Sequence, residues 1–122
     1  MTSRIQCFLK DEKGAAALEM AMLAPAFLTL LLGIFQGGLL VFTQASLHYA
    51  VHKSVRCVAL QDVCPSPASY YLGTGAAPEF TPAQEPCGRA LTATVSYTFT
   101  VLLYHKEILL SAKACFPNIR GS

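Results

Sequence analysis

Five cysteines, three histidines and seven acidic residues are the side chains of this 122-residue chain best suited to nucleophilic, acid–base or metal chemistry. His48 and His52 stand one helical turn apart, as two metal ligands on one helix face would. No carboxylate or third ligand follows at a suitable spacing, and Asp62 falls beyond the expected helix end. The pair therefore reads as part of an interfacial polar face with Lys53 and Arg56. Cys64 and Cys87 belong to no Cys-x-x-Cys pair, which argues against a zinc site or an activated thiol. Serine, histidine and aspartate all occur, but no nucleophile elbow arranges them. The sequence predicts no catalytic residue, no metal and no cofactor.

The remaining cysteine chemistry is disulfide formation. Cys7 precedes a run of 28 uncharged residues, Met20 to Leu47, and Cys57, Cys64, Cys87 and Cys115 follow it. An even set of four beyond a membrane helix points to an oxidising space outside the cytoplasm, with Cys7 free in the N-terminal tail. Lys and Arg give a weak vote the same way: Arg4, Lys10 and Lys13 before the run against Lys53 and Arg56 after it. If Cys57 and Cys64 were both helical their Cα atoms would lie ~10.5 Å apart, too far to bridge. That pairing survives only if the helix ends well before Asp62. The expected bridges are Cys64–Cys87, closing a proline-rich loop, and Cys57–Cys115, tying the helix end to a strand.

These residues need elements to position them. Hydrophobic residues make up 53% of the chain and charged residues 13%, about half the share of ordinary soluble domains. That excess excludes disorder, and a net charge of +2 excludes the basic footprint of a nucleic-acid binder. The uncharged run exceeds the roughly 20 residues needed to cross a bilayer and is longer than the apolar core of a secretory signal. Residues 15 to about 60 read as one helix, transmembrane to about residue 43, then amphipathic with Leu47, Ala50, Val51, Val55 and Val58 at helical spacing. Residues 1–14 form a polar tail. Residues 61–89 carry five prolines and three glycines and read as an extended loop. There is no internal repeat.

Residues 90–116 carry the clearest strand signal. Leu91, Ala93, Val95, Tyr97, Phe99, Val101 and Leu103 alternate with Thr92, Thr94, Ser96, Thr98 and Thr100, and a second run spans Ile108 to Phe116. A turn at Tyr104–Glu107 would set Val95 opposite Phe116 and Ser96 opposite Cys115, and a one-residue slip would put Lys113 on the apolar face. An isolated hairpin is marginal in water, so its apolar face must pack on the outer half of the helix. The expected fold is α+β: a long N-terminal, partly transmembrane helix with a small C-terminal antiparallel hairpin or sheet, residues 61–122, packed on its outer half.

The segment Gly14 to Pro25, G-A-A-A-L-E-M-A-M-L-A-P, has a charged leader ending in Gly, a small residue next and Glu five residues after the Gly, at the mouth of an apolar helix. It resembles the processing site of type IV pilin-like proteins, most closely the TadE-like pseudopilins of tight-adherence (Tad) pilus systems. The resemblance continues through Gly33-Ile34-Phe35-Gln36-Gly37, V-H-K-S-V-R at the helix end, T-V-S-Y-T-F and L-L-S-A-K-A. It implies a cytoplasmic leader, residues 1–14, cut between Gly14 and Ala15 by a membrane prepilin peptidase. Glu19 would become the fifth residue of the mature chain, used in assembly. Met20 stands where relatives usually carry Phe or Tyr, and Gln36 where many carry an acid; with the chain's length, these departures suit a minor pilin better than a major one.

Physical chemistry gives Glu19 a reason of its own. A carboxylate in the bilayer costs about 2.5–3.5 kcal/mol on insertion scales, and cleavage would create an ammonium at Ala15, four residues earlier, able to pair with it within the chain or across subunits. The alternative is an ordinary headgroup-level carboxylate. Gly33 and Gly37 offer either a small-residue packing face or glycines common in any membrane helix. Pro25 removes one helical hydrogen bond, as a functional melt or as a passive kink.

The resulting expectation is a structural minor pilin in a bacterial inner membrane, single-pass, with its C-terminus outside the cytoplasm. Its partners would be the prepilin peptidase, other pilins and pseudopilins, the inner-membrane assembly platform and the lipid bilayer, with no nucleic acid. The alternatives are an uncleaved bitopic protein with an extracytoplasmic binding domain, and a secreted disulfide-rich protein.

Overall fold

The computed structural model describes residues 12–119; Cys7 and the other residues up to 11, expected to belong to a leader, lie outside that range. The fold is α+β. Helix α1 spans Glu12–Leu60, a 3-10 turn follows at Pro67–Tyr70, and strands β1 (Glu79–Glu85), β2 (Gly88–Val101) and β3 (Tyr104–Phe116) form one antiparallel sheet in the order β1-β2-β3. The chain divides into two compact units between Phe35 and Gln36.

In the first unit the helix is apolar on every side. Leu30, Leu31, Leu32, Ile34 and Phe35 are all exposed, and successive residues on an α-helix point about 100° apart, so no polar stripe remains. The most apolar 18-residue window of α1 has a mean hydropathy of 2.0 and none of it is buried, so the helix is long and apolar enough to cross a membrane. Pro25 sits inside the helix without ending it. The Thr29 hydroxyl donates to the Pro25 carbonyl at 2.7 Å, a back-bond of the kind that bends helices.

In the second unit α1 becomes two-faced. Leu47, Ala50, Val51, Val55 and Ala59 are buried and recur every three or four residues, whereas Val58, expected in that stripe, is largely exposed. Three hydroxyl residues share the buried face. Thr43 and Ser54 donate to the Leu39 and Ala50 carbonyls, and Ser46 accepts the Leu72 backbone N–H, so none leaves an unpaired oxygen in the core. Against this stripe the sheet presents Leu91, Ala93, Val95 and Tyr97 of β2 and Leu110, Ala112 and Ala114 of β3. Three of those seven are alanine. Burying Leu47 or Val51 completely is worth about 1.5–3 kcal/mol each.

The hairpin register differs from the expected one. β2 and β3 pair Val101 with Tyr104 and Val95 with Leu110, so the turn is Leu102–Leu103 rather than Tyr104–Glu107. The two registers differ by six residues. Six is even, so each side chain keeps its expected face: Lys113 still points outward, now opposite Thr92. The tight turn lets His105, Lys106 and Glu107 pair with Thr100, Phe99 and Thr98, extending the ladder where a polar loop was expected.

The proline-rich segment also holds more order than its breakers suggested. β1 contains Pro82, opposite Leu91. β1 lies at the sheet edge, where a residue without an N–H forfeits no ladder bond on its open side. Glu85 pairs with Gly88 around Pro86–Cys87. Gly88 has φ +125, and a Cβ there would lie 2.3 Å from the Phe116 carbonyl oxygen, so only glycine fits this corner. Upstream, Thr74 meets Thr43 at 3.5 Å between hydroxyls and the Tyr71 ring lies over Gly73, fastening the 71–74 stretch to α1.

The disulfides are Cys57–Cys64 and Cys87–Cys115, with Cα–Cα separations of 5.9 and 6.3 Å. Neither expected bridge, Cys64–Cys87 or Cys57–Cys115, forms. The helix ends at Leu60, as expected, with Gln61 N–H closing the last turn on the Cys57 carbonyl at 2.7 Å; the first error was to treat Cys64 as out of reach, whereas the chain bends back after that turn and brings Cys64 beside Cys57. The second follows from the register. The expected pairing set Cys115 opposite Ser96; the observed one sets it opposite Ala90, six residues nearer the β1–β2 corner that carries Cys87.

Candidate processing and assembly segment

Gly14 lies in the first turn of α1 and is exposed, as are Ala15 and Glu19. A Cβ on Gly14 would meet nothing within 4 Å. The fold therefore places no demand for glycine there, in contrast to Gly88, and a requirement at Gly14 must come from outside the chain. Ala15 and Glu19 are one turn apart and so share a helix face. Among the described residues no hydrogen bond or ion pair engages the Glu19 carboxylate.

Gly33 and Gly37 lie one turn apart as well, and a Cβ at either would be unopposed.

His48 and His52 are exposed with their rings stacked at 6.4 Å. The Gln44 amide donates to His48 Nε2 at 3.0 Å and to the Ser111 carbonyl at 2.9 Å, so this face links the helix to the β3 backbone. Among the described residues no three His, Cys, Asp or Glu side chains gather as they would around a metal. An open, mostly apolar groove of about 860 Å³ runs between the helix end and β1, walled by Val55, Val58, Phe80 and Leu91, with Glu79 and Arg89 at its sides.

Sequence reasoning missed the polar residues that join α1 to the sheet. Gln36 was noticed only for the acid it replaces, yet it accepts a hydrogen bond from the Tyr97 hydroxyl. Gln44 and Ser46 drew no attention. The signal that could have found them is an amide or hydroxyl recurring on the inner face of a helix that must cover a sheet: Gln36, Thr43, Ser46 and Ser54 all fit it.

The family described as TadE-like protein matches residues 14–56. The matched segment begins at Gly14, takes in Glu19, Gly33, Gln36 and Gly37, and stops before the first structural cysteine. It is the family that the sequence resembles, and the match covers 43 of the 122 residues. No curated protein and no solved structure matches the chain.

Proposed function

We propose that this chain is a minor pilin or pseudopilin, a structural subunit that helps initiate or assemble a Tad-type pilus after its leader is cut between Gly14 and Ala15. The observation that carries the reading is the TadE-like match starting at a glycine that no packing in the fold requires. The chain performs no chemistry; the prepilin peptidase performs it on the chain. The uncharged helix anchors the protein in the inner membrane, and the disulfide-stapled sheet stands outside the cytoplasm, where thiols oxidise. Other pilins and the assembly platform are its partners. The Glu19 carboxylate, without a partner among the described residues, is available to the new Ala15 ammonium, one turn away on the same face, or to that of a neighbouring subunit. The bare Gly33–Gly37 face is available to a neighbouring helix.

The deciding experiment is N-terminal sequencing after coexpression with the cognate prepilin peptidase. The mature chain should begin at Ala15, and Gly14→Asp should abolish cutting while leaving the sheet folded. An intact Met1 terminus in cells that make the pilus would establish the uncleaved bitopic protein instead. Glu19→Ala should be inserted and cut normally but should assemble poorly, read as the loss of pili by electron microscopy; normal piliation would make Glu19 an ordinary headgroup-level carboxylate.

A further inference from the structure

The β2–β3 hairpin ends in Val101-Leu102-Leu103-Tyr104, a composition ill suited to a turn in water. Leu102 has φ +53, a backbone region that tight hairpin turns normally give to Gly, Asn or Asp. Leu102 is 64% exposed and Leu103 96% exposed, so neither leucine packs on the chain to compensate for that conformation. Tyr104 is exposed beside them, and His105 and Lys106 follow.

Two contacts within the second unit fix the direction in which this tip points. Gln44 donates to the carbonyl of Ser111, which pairs with Thr94, and further along β2 the Tyr97 hydroxyl reaches Gln36. From Thr94 to Tyr97 the strand advances roughly 10 Å while the helix runs back from Gln44 to Gln36, roughly 12 Å. β2 therefore runs antiparallel to this part of α1, toward the end of the unit where the uncharged segment is joined. Beyond Tyr97 the ladder continues through Val101↔Tyr104, which carries Leu102 about 16 Å past its last polar contact with α1.

We propose that this hairpin tip is a second membrane contact: Leu102 and Leu103 dip into the acyl boundary of the bilayer that holds the helix, with the Tyr104 ring and Lys106 at headgroup level. The inference rests on the membrane-anchor reading of α1. The chemistry fits lipid because the patch is a narrow convex tip of aliphatic residues backed by an amphipathic aromatic and a cation, the arrangement that suits an interface. The occupant is lipid because, within the second unit, the hairpin runs along Gln36–Gln44, part of the uncharged run that the membrane-anchor reading assigns to the bilayer.

The chain contains no tryptophan, so single-Trp variants of the full-length protein report position directly. The probes are Phe27→Trp in the apolar segment, Leu103→Trp at the tip and Val63→Trp beyond the helix end. They are placed in phosphatidylethanolamine–phosphatidylglycerol vesicles with brominated acyl chains, and each is also exposed to aqueous iodide. Leu103→Trp alters no packing, because Leu103 makes almost none. The expected result is bromolipid quenching at Leu103→Trp several-fold above that at Val63→Trp, together with a blue-shifted emission. If Phe27→Trp is quenched by bromolipid while Leu103→Trp is quenched only by iodide, the tip stands in water and the proposal is overturned with the anchor intact. If Leu103→Trp answers to neither quencher, protein rather than lipid covers the tip, and the proposal is again overturned. If Phe27→Trp itself escapes bromolipid, the anchor reading fails and takes the proposal with it.

Discussion

The Tyr97 hydroxyl donates to Gln36 Oε1 at 3.1 Å and also lies 3.4 Å from the Gln36 carbonyl, across 61 residues of sequence. Tyr97 is otherwise buried, so this is where a phenol in the sheet core finds its partner, at the first residue of the second unit. Tyr97→Phe should cost about 1 kcal/mol of stability, and so should Gln36→Ala. Because both remove one bond, the double variant should lose clearly less than the sum. Thermal unfolding in detergent micelles, followed by circular dichroism, measures the cycle.

Non-reducing peptide mapping should recover Cys57 with Cys64 and Cys87 with Cys115. The two bridges span 7 and 28 residues. On the chain-entropy account they contribute about 2.5 and about 3.5 kcal/mol, so replacing Cys87 and Cys115 together with alanine should lower the unfolding midpoint more than replacing Cys57 and Cys64.

Two glycines of opposite character give a third test. Gly88→Ala forces a Cβ against the Phe116 carbonyl at an unfavourable φ and should destabilise the sheet by about 1–3 kcal/mol. Gly14→Ala meets only open space and should leave the unfolding midpoint unchanged. On the proposed reading, any effect of Gly14→Ala on cutting by the peptidase is then an effect on recognition.

Burial raises the pKa of Tyr71 above the usual tyrosine value of 10.0. Its hydroxyl has no hydrogen-bond partner among the described residues. The unfolded chain therefore releases this proton at lower pH than the folded one. The Tyr71 contribution is complete below about pH 10 and is lost as pH rises through the folded-state value. Tyr71→Phe should remove that part of the alkaline decline, and at neutral pH it should be neutral or slightly stabilising, because it deletes an unpaired buried group. Unfolding midpoints from pH 8 to 11 for both proteins show the difference in slope.

The long helix and the faces of the hairpin were legible because each rests on a period: a run of uncharged residues for α1, and strict alternation for β2. The register was not legible, because alternation fixes which face a side chain takes and is blind to a shift of six. Leu102–Leu103 gave no turn signal in sequence, since turns are recognised by Gly, Asn, Asp and Pro. The wrong turn then propagated to Cys115 and to one disulfide. β1 was hidden by Pro82, which reads as a breaker unless the strand is known to lie at an edge. Gly14 and Glu19 drew attention through the family that their segment resembles, whereas Gln44 did not and Gln36 did only as a departure from that family, because their partners lie across the fold at distances no local pattern encodes.

Each disulfide closes within its own part of the second unit, one at the helix end and one across the sheet, and neither joins helix to sheet. The covalent path between them is the stretch from Pro65 to Pro78, 14 residues that would extend to roughly 45–50 Å. A pulling force applied between helix and sheet thus meets no cross-link until that slack is drawn out. Before then it must peel the apolar face and unclip Leu72 from Ser46 and Thr74 from Thr43. The Cys57–Cys115 bridge expected from sequence would have made the helix and sheet a rigid bracket. The observed pairing makes it a hinged clasp, able to yield under load and to close again with both cross-links whole.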